Sequence, residues 1–160
     1  MKVKDVMTRN VKSCRPESTI DQAAIQMWDY DCGVMPVVDG ESRVMGMITD
    51  RDIAIAASTR GRLTTQINVG EVMSGNVYAC SEDEDIKSAL HTMRRERVRR
   101  LPVISYDGKL AGILSLNDIV MRAGEARTGW APEVSQEEVV STLKAICEHA
   151  RIQQQQAGMV

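Results

Sequence analysis

Gly46-Met47-Ile48-Thr49-Asp50-Arg51-Asp52-Ile53 returns 66 residues later as Gly112-Ile113-Leu114-Ser115-Leu116-Asn117-Asp118-Ile119. Each stretch holds a glycine in an apolar run, then a hydroxyl residue, then an Asp three positions on. The run reads as a strand, and the hydroxyl-to-carboxylate spacing reads as the start of a helix. The match extends outward without a gap, so that residues 5–57 align with 71–123. Fourteen positions are identical, among them Met7/Met73, Cys14/Cys80, Ile20/Ile86, Met27/Met93, Pro36/Pro102, Gly46/Gly112 and Asp52/Asp118. Two copies are too few for a solenoid. A pair related by a pseudo-twofold axis is expected instead, each copy covering a face the other cannot bury alone.

Both copies read the same way. Thr19 or Asp85 caps a helix whose apolar residues recur at helical spacing: Ile20, Ala23, Ala24, Met27, and Ile86, Ala89, Leu90, Met93. Met27 and Met93 are therefore core residues. A strand with Pro near its start follows (Met35 to Val38; Leu101 to Ile104), since Pro cannot donate to a ladder. Asp39-Gly40 and Asp107-Gly108 supply turn chemistry before a second strand, Val44 to Ile48 or Leu110 to Leu114. A second helix then starts near Asp50 or Leu116. With a short extended segment near Val11 or Val77, each unit is β-α-β-β-α, and the fold class is mixed α/β (α+β). Residues 1–65 form the first repeat with its linker, 66–124 the second, and 125–160 a loop and C-terminal helix. In that tail Ser135 and Glu138 make a capping box. Val139, Val140, Leu143, Ile146, Cys147 and Ala150 place an amphipathic helix over 136–152, packed on its own module or on a partner, with Gln153 to Gln156 fraying.

Composition narrows the function. Lys plus Arg is 20 against 22 Asp plus Glu, a net charge of −2 in 160 residues, which disfavours a nucleic-acid binder. Aromatic residues are 3% with no Phe, while Met reaches 10, so a pocket here is walled by aliphatic and thioether groups. Cys14, Cys32, Cys80 and Cys147, with His91 and His149, lack the spacing of a metal site or disulfide framework. No metal is expected. The N-terminus lacks the apolar run of a signal peptide, and no stretch approaches the ~18 apolar residues of a membrane span. A cytoplasmic protein away from the membrane is expected.

The paired hydroxyl-Asp motifs carry the chemistry, and two readings stand. Thr49 and Ser115 are helix N-caps, with Asp52 and Asp118 favourable near the positive end of the dipole. Alternatively, uncommitted amides and the hydroxyl at the helix start bind a phosphate, and the Asp accepts the two hydroxyls of a ribose.

The doubled pattern, VMT-N-V, I-x-x-A-x-x-x-M, P-V and G-x-x-[ST]-x-x-D-I, resembles the cystathionine beta-synthase (CBS) domain, and two copies resemble a CBS pair, or Bateman module. The resemblance covers about residues 1–124. It implies two clefts between the repeats for adenosine compounds: AMP first, or ADP, ATP, NAD or S-adenosylmethionine. One cleft would join Thr49 and Asp52 to Val77, Tyr78, Val98, Arg99 and Arg100, the arginines standing where relatives place basic phosphate contacts. The other would join Ser115 and Asp118 to Val11, Lys12, Cys32, Gly33 and Val34, where the residues before Pro36 carry no charge. The adenine would lie among Val98, Val77 and Met47. The resemblance also implies a homodimer stacked through helices.

An enzyme is disfavoured: no Ser-His-Asp arrangement, P-loop or Cys-His pair stands out. His91 faces away from the apolar stripe, and Cys14 and Cys80 recur as core positions. The expectation is a regulatory module without catalysis that binds an adenosine nucleotide and signals by conformational change or dimer rearrangement to an unknown effector. A ligand-free interaction module is the alternative.

Overall fold

The structure is a computed structural model that describes residues 1–124 and 134–157, with side chains through residue 148. The expected loop around Gly129 and Pro132 lies mostly outside the described residues. In chain order the elements are β1 (Thr8–Arg9), α1 (Ile20–Asp29), β2 (Val34–Val38), β3 (Val44–Thr49), α2 (Asp50–Thr59), β4 (Cys80–Ser81), α3 (Ile86–Glu96), β5 (Arg100–Ile104), β6 (Leu110–Ser115), α4 (Leu116–Val120) and α5 (Gln136–Ala157). It is a mixed α+β fold.

Local sequence accounts for the elements. Thr19 caps α1 in a box whose return bond runs from the Thr19 amide to Gln22 Oε1 at 3.2 Å. Asp85 caps α3 by accepting the Lys87 amide at 2.9 Å. After α1 and α3 the chain turns through left-handed residues, Asp31 (φ 48°) and Arg97 (φ 56°), at equivalent positions. The hairpin turns hold a correction. Gly108 has φ 80°, but in the first copy the left-handed position is Ser42 (φ 66°) rather than Gly40. Ser42 is the repeat-mate of Gly108, and Asp39 replaces glycine chemistry by accepting the amides of Glu41 and Arg43, both at 2.9 Å.

The chain divides into two compact units that do not follow the sequence repeats. Unit 1 takes Met1–Arg9, Tyr78–Val103 and the chain from Gly112 onward; unit 2 takes Asn10–Val77 and Ile104–Ala111. Each unit borrows the segment that opens the opposite repeat. In unit 1, Val3 is fully buried and its amide donates to the Glu84 carbonyl; in unit 2, its repeat-mate Val69 is fully buried and donates to Ser18. The same exchange joins Ile86 N–H to the Met1 carbonyl and Ile20 N–H to the Ile67 carbonyl. The stretch 58–70, which reads as a mere connection, thus supplies two core residues, Ile67 and Val69.

In unit 2 the core gathers Cys14, Ile20, Ala23, Met27, Met35, Val37, Ile48, Ile53, Ala56, Ile67 and Val69. β2 and β3 pair as an antiparallel hairpin, with Val34 opposite Thr49. In unit 1 the strands run in the order β1-β6-β5-β4. Ile86, Ala89, Leu90 and Met93 of α3 are buried, as are Leu101, Val103, Leu114 and Ile119. The tail helix α5 packs on α3 and α4 within this unit. Its box is formed, Ser135 N–H to Glu138 Oε2 at 2.8 Å and Glu138 N–H to Ser135 Oγ at 3.1 Å. Val139 and Thr142 are buried against its neighbours, and Lys87 of α3 pairs with Glu138 at 3.1 Å. The helix continues through Gln153 to Gln156 instead of fraying, since glutamine is a good helix former.

Candidate functional site

The two hydroxyl-Asp motifs have one geometry. Thr49 Oγ1 donates to Asp52 Oδ2 at 2.6 Å, the Thr49 amide donates to the same oxygen at 2.9 Å, and the Asp52 amide donates to Thr49 Oγ1 at 3.1 Å. Ser115 and Asp118 repeat this at 2.7, 2.8 and 3.1 Å. The capping reading is therefore realised in both copies, and it narrows the other one. The hydroxyl proton and the third-position amide, both expected to be uncommitted donors for a phosphate, are used inside the box. Both bonds that reach the carboxylate engage its Oδ2, and Oδ1 takes no part in the box. What each motif holds out, half-buried and fixed in direction, is a carboxylate edge with the lone pairs to accept hydrogen bonds.

Glycine explains how a second chain segment reaches the motif. A Cβ on Gly46 would meet Met73 Sδ at 2.7 Å and the Ser74 carbonyl at 2.8 Å. Ser74 lies there because its amide and carbonyl both bond to Met47, at 2.9 and 3.1 Å, two residues before Thr49. In unit 1, Gly112 lies against Thr8, and β1 pairs with β6, Thr8 opposite Ile113. Each motif thus has beside it the segment that opens the other repeat, continuing to Val77 in unit 2. The repeated Gly was quotable from the sequence; the reason for it was not, because it depends on which segment packs there.

The residues before the two prolines lie beside their own copy's motif. The Asp50 amide donates to the Gly33 carbonyl at 3.2 Å, and the Leu116 amide donates to the Arg99 carbonyl at 2.8 Å. Thr49, Asp52, Val77, Val11, Lys12, Cys32, Gly33 and Val34 belong to unit 2; Ser115, Asp118, Tyr78, Val98, Arg99 and Arg100 belong to unit 1. The Arg99 and Arg100 side chains are exposed, as is Tyr78, while Val98 and Val77 are half-buried. Lys12 is exposed, with its Nζ 4.3 Å from the centre of the Tyr30 ring.

Cys14 and Cys80 are buried, and burial pushes their thiols up to about 11 and about 12. At neutral pH they are uncharged core groups, not nucleophiles. His91 is exposed. Among the described residues no three His, Cys, Asp or Glu side chains gather as a metal site, and no helix is long and apolar enough to cross a membrane.

The chain belongs to the CBS domain family: the family model matches twice, over residues 3–58 and 69–125. Hypoxic response protein 1 of Mycobacterium tuberculosis is 31% identical over 144 residues, covering 90% of this chain and 92% of its own. The crystal structure of Hypoxic Response Protein I, with two coordinated zinc ions, superposes with a TM-score of 0.69 over 76% of this chain and 98% of that one. The CBS domain pair of protein MJ0100, solved with 5-methylthioadenosine and S-adenosyl-L-methionine, is 25% identical with a TM-score of 0.68, over 76% and 94%. CBSX2 in complex with AMP is also 25% identical, with a TM-score of 0.63 over 75% and 93%. A CBS pair of this kind is a regulatory module, not itself a catalyst.

Proposed function

We propose that this CBS pair is a non-catalytic, cytoplasmic module that binds an adenosine nucleotide and works as a homodimer whose arrangement responds to the ligand. The observation that carries the reading is the free carboxylate edge of Asp52 and Asp118, which the same two bonds to Oδ2 orient in both copies. An ionised carboxylate so oriented accepts the two hydroxyls of a ribose, each bond charge-assisted. Adenosine compounds in the CBS structures above support the class of ligand, with AMP first and ADP, ATP, NAD and S-adenosylmethionine after it.

The contacts within each unit favour a different grouping of the site residues from the one the resemblance implied. One nucleotide falls to Ser115 and Asp118 with Val98, Arg99 and Arg100, of which the Arg99 carbonyl already accepts the Leu116 amide beside the motif. The other falls to Thr49 and Asp52 with Cys32, Gly33, Val34 and the segment ending at Val77. The arginines then supply phosphate contacts at the Ser115–Asp118 site, replacing the amide and hydroxyl donors consumed by the cap. Val11, Lys12 and Tyr78 remain candidates for the adenine and phosphate edges.

A melting-temperature panel of the full chain with AMP, ADP, ATP, NAD and S-adenosylmethionine tests the proposal. A compound bound only by the folded state at 100 times its Kd stabilises by about 2.7 kcal/mol. At least one compound is expected to raise Tm in a concentration-dependent way. A folded chain whose Tm ignores all five compounds favours the ligand-free interaction module.

A further inference from the structure

A groove of about 310 Å³ opens between α1 and α2 of unit 2, and none of Thr49, Asp52 or Val77 lines it. Its walls are apolar: Ala24 and Met27 from α1, Ile53 and Ala54 from α2. Two exposed residues, Trp28 and Asp50, stand at its rim, the indole with 86% of its surface open. The Asp50 carboxylate accepts the Arg51 amide through Oδ1 at 2.7 Å. Among the described residues it has no ion-pair partner. No basic side chain lines the groove, and α1 contains none.

The second copy shows that the fold does not require such a groove. At the equivalent places it carries Leu90 for Ala24, Val120 for Ala54, Leu116 for Asp50 and Arg94 for Trp28. Leu90 and Leu116 are buried there, and α5 packs on α3 and α4. The first copy has alanines in place of two larger apolar residues. It sets an acid where the second has a leucine, and an indole where the second has a cation.

We propose that this groove binds a small organic cation, an ammonium that carries methyl groups. Such a cation is drawn to the face of an indole by the ring's negative quadrupole. The Asp50 carboxylate adds a Coulombic attraction, and the apolar walls take the methyl groups out of water. The volume lies at the low end of the range for small-molecule sites, about 300–1,000 Å³, which favours a compact ligand. A phosphorylated compound does not fit this chemistry, because the rim carries an acid and the lining no base. Of the nucleotide-site candidates only Cys32 borders the groove, so this proposal stands apart from the nucleotide reading.

Choline is the probe, beside its neutral analogue in which a tert-butyl group replaces the trimethylammonium. Both are titrated into the full chain by calorimetry at constant ionic strength, with tryptophan emission followed in parallel. Choline should bind saturably and the neutral analogue about tenfold more weakly, since it keeps the shape and loses both charge contacts. Asp50→Asn and Trp28→Leu, each shown to be folded by circular dichroism, should weaken choline about threefold or more and leave the neutral analogue unchanged. The choline-dependent change in emission should vanish in Trp28→Leu. A general loss of structure would weaken both compounds together, so the ratio between them reads the charge contacts. No saturable binding of choline, equal binding of the two compounds, or a ratio that neither variant changes would overturn the proposal.

Discussion

The Thr8 carbonyl lies against the Cα of Gly112, in the place a side chain would occupy. The obstruction is backbone, which cannot rotate away. At Gly46 part of the obstruction is the flexible Met73 side chain. Gly112→Ala should therefore cost about 1–3 kcal/mol, as overpacking does, and Gly46→Ala less. Chemical denaturation of both variants checks the order; equal, negligible losses would mean the opening segments are not seated as described.

Exchange of those segments makes the halves interdependent. Residues 1–65 alone lack Val69, which is fully buried in unit 2, and lack Ser74, which pairs with Met47. A fragment of ~65 residues is marginal even with its core complete. Expressed separately, 1–65 should be unfolded or self-associated by circular dichroism and sedimentation, and a stable folded monomer would contradict the exchange.

Arg100 separates the two groupings of the site. If it serves the nucleotide held by Asp118, Arg100→Ala should lower phosphorylated-adenosine affinity about tenfold or more at that site. In a double-mutant cycle it should then couple to Asp118→Ala and add independently to Asp52→Ala. Coupling to Asp52 instead would restore the grouping read from the resemblance. Adenosine, without a phosphate, should be indifferent to Arg100.

Acid should loosen the tail helix. The Ser135 amide, then Lys87, hold the Glu138 carboxyl below its usual 4.5. Because the folded value lies below the unfolded one, this contribution is present above pH 4.5 and fades as pH falls through the folded value. Amide exchange in α5 at about pH 3 should therefore rise relative to α1, more than at neutral pH. Glu138→Gln should show the looser behaviour already at neutral pH; an α5 equally protected at both values would contradict the docking described.

Much of this was legible in the residues. The 66-residue offset placed Ile20, Met27, Ile86 and Met93 in cores, and all four are buried. Thr19, Asp85 and Ser135 announced their helices because a cap is a local bond between neighbours in sequence. The roles of Ile67 and Val69 were not legible, since a short polar-flanked connection has no periodicity to mark it. Ser42 was missed in the turn because its left-handed backbone is supported by Asp39, not by its own residue type. The capping pairs Thr49–Asp52 and Ser115–Asp118 are legible from their spacing. That the box would consume the hydroxyl and the third amide depends on hydrogen-bond geometry, which spacing does not specify. The neighbours of each motif depend on strand pairing between segments far apart in sequence.

Calorimetric titration of AMP into the full chain, beside the folded D52A/D118A variant, addresses the nucleotide reading most directly. Each Asp→Ala removes a capping-box partner and should lower stability by about 0.5–2 kcal/mol, so both proteins are first shown to be folded. The wild type should give saturable heat, and the double variant should lose it or need at least tenfold more AMP, as lost charge-assisted ribose bonds require. Equal AMP affinity in the wild type and the folded double variant would show that Asp52 and Asp118 cap helices and nothing more.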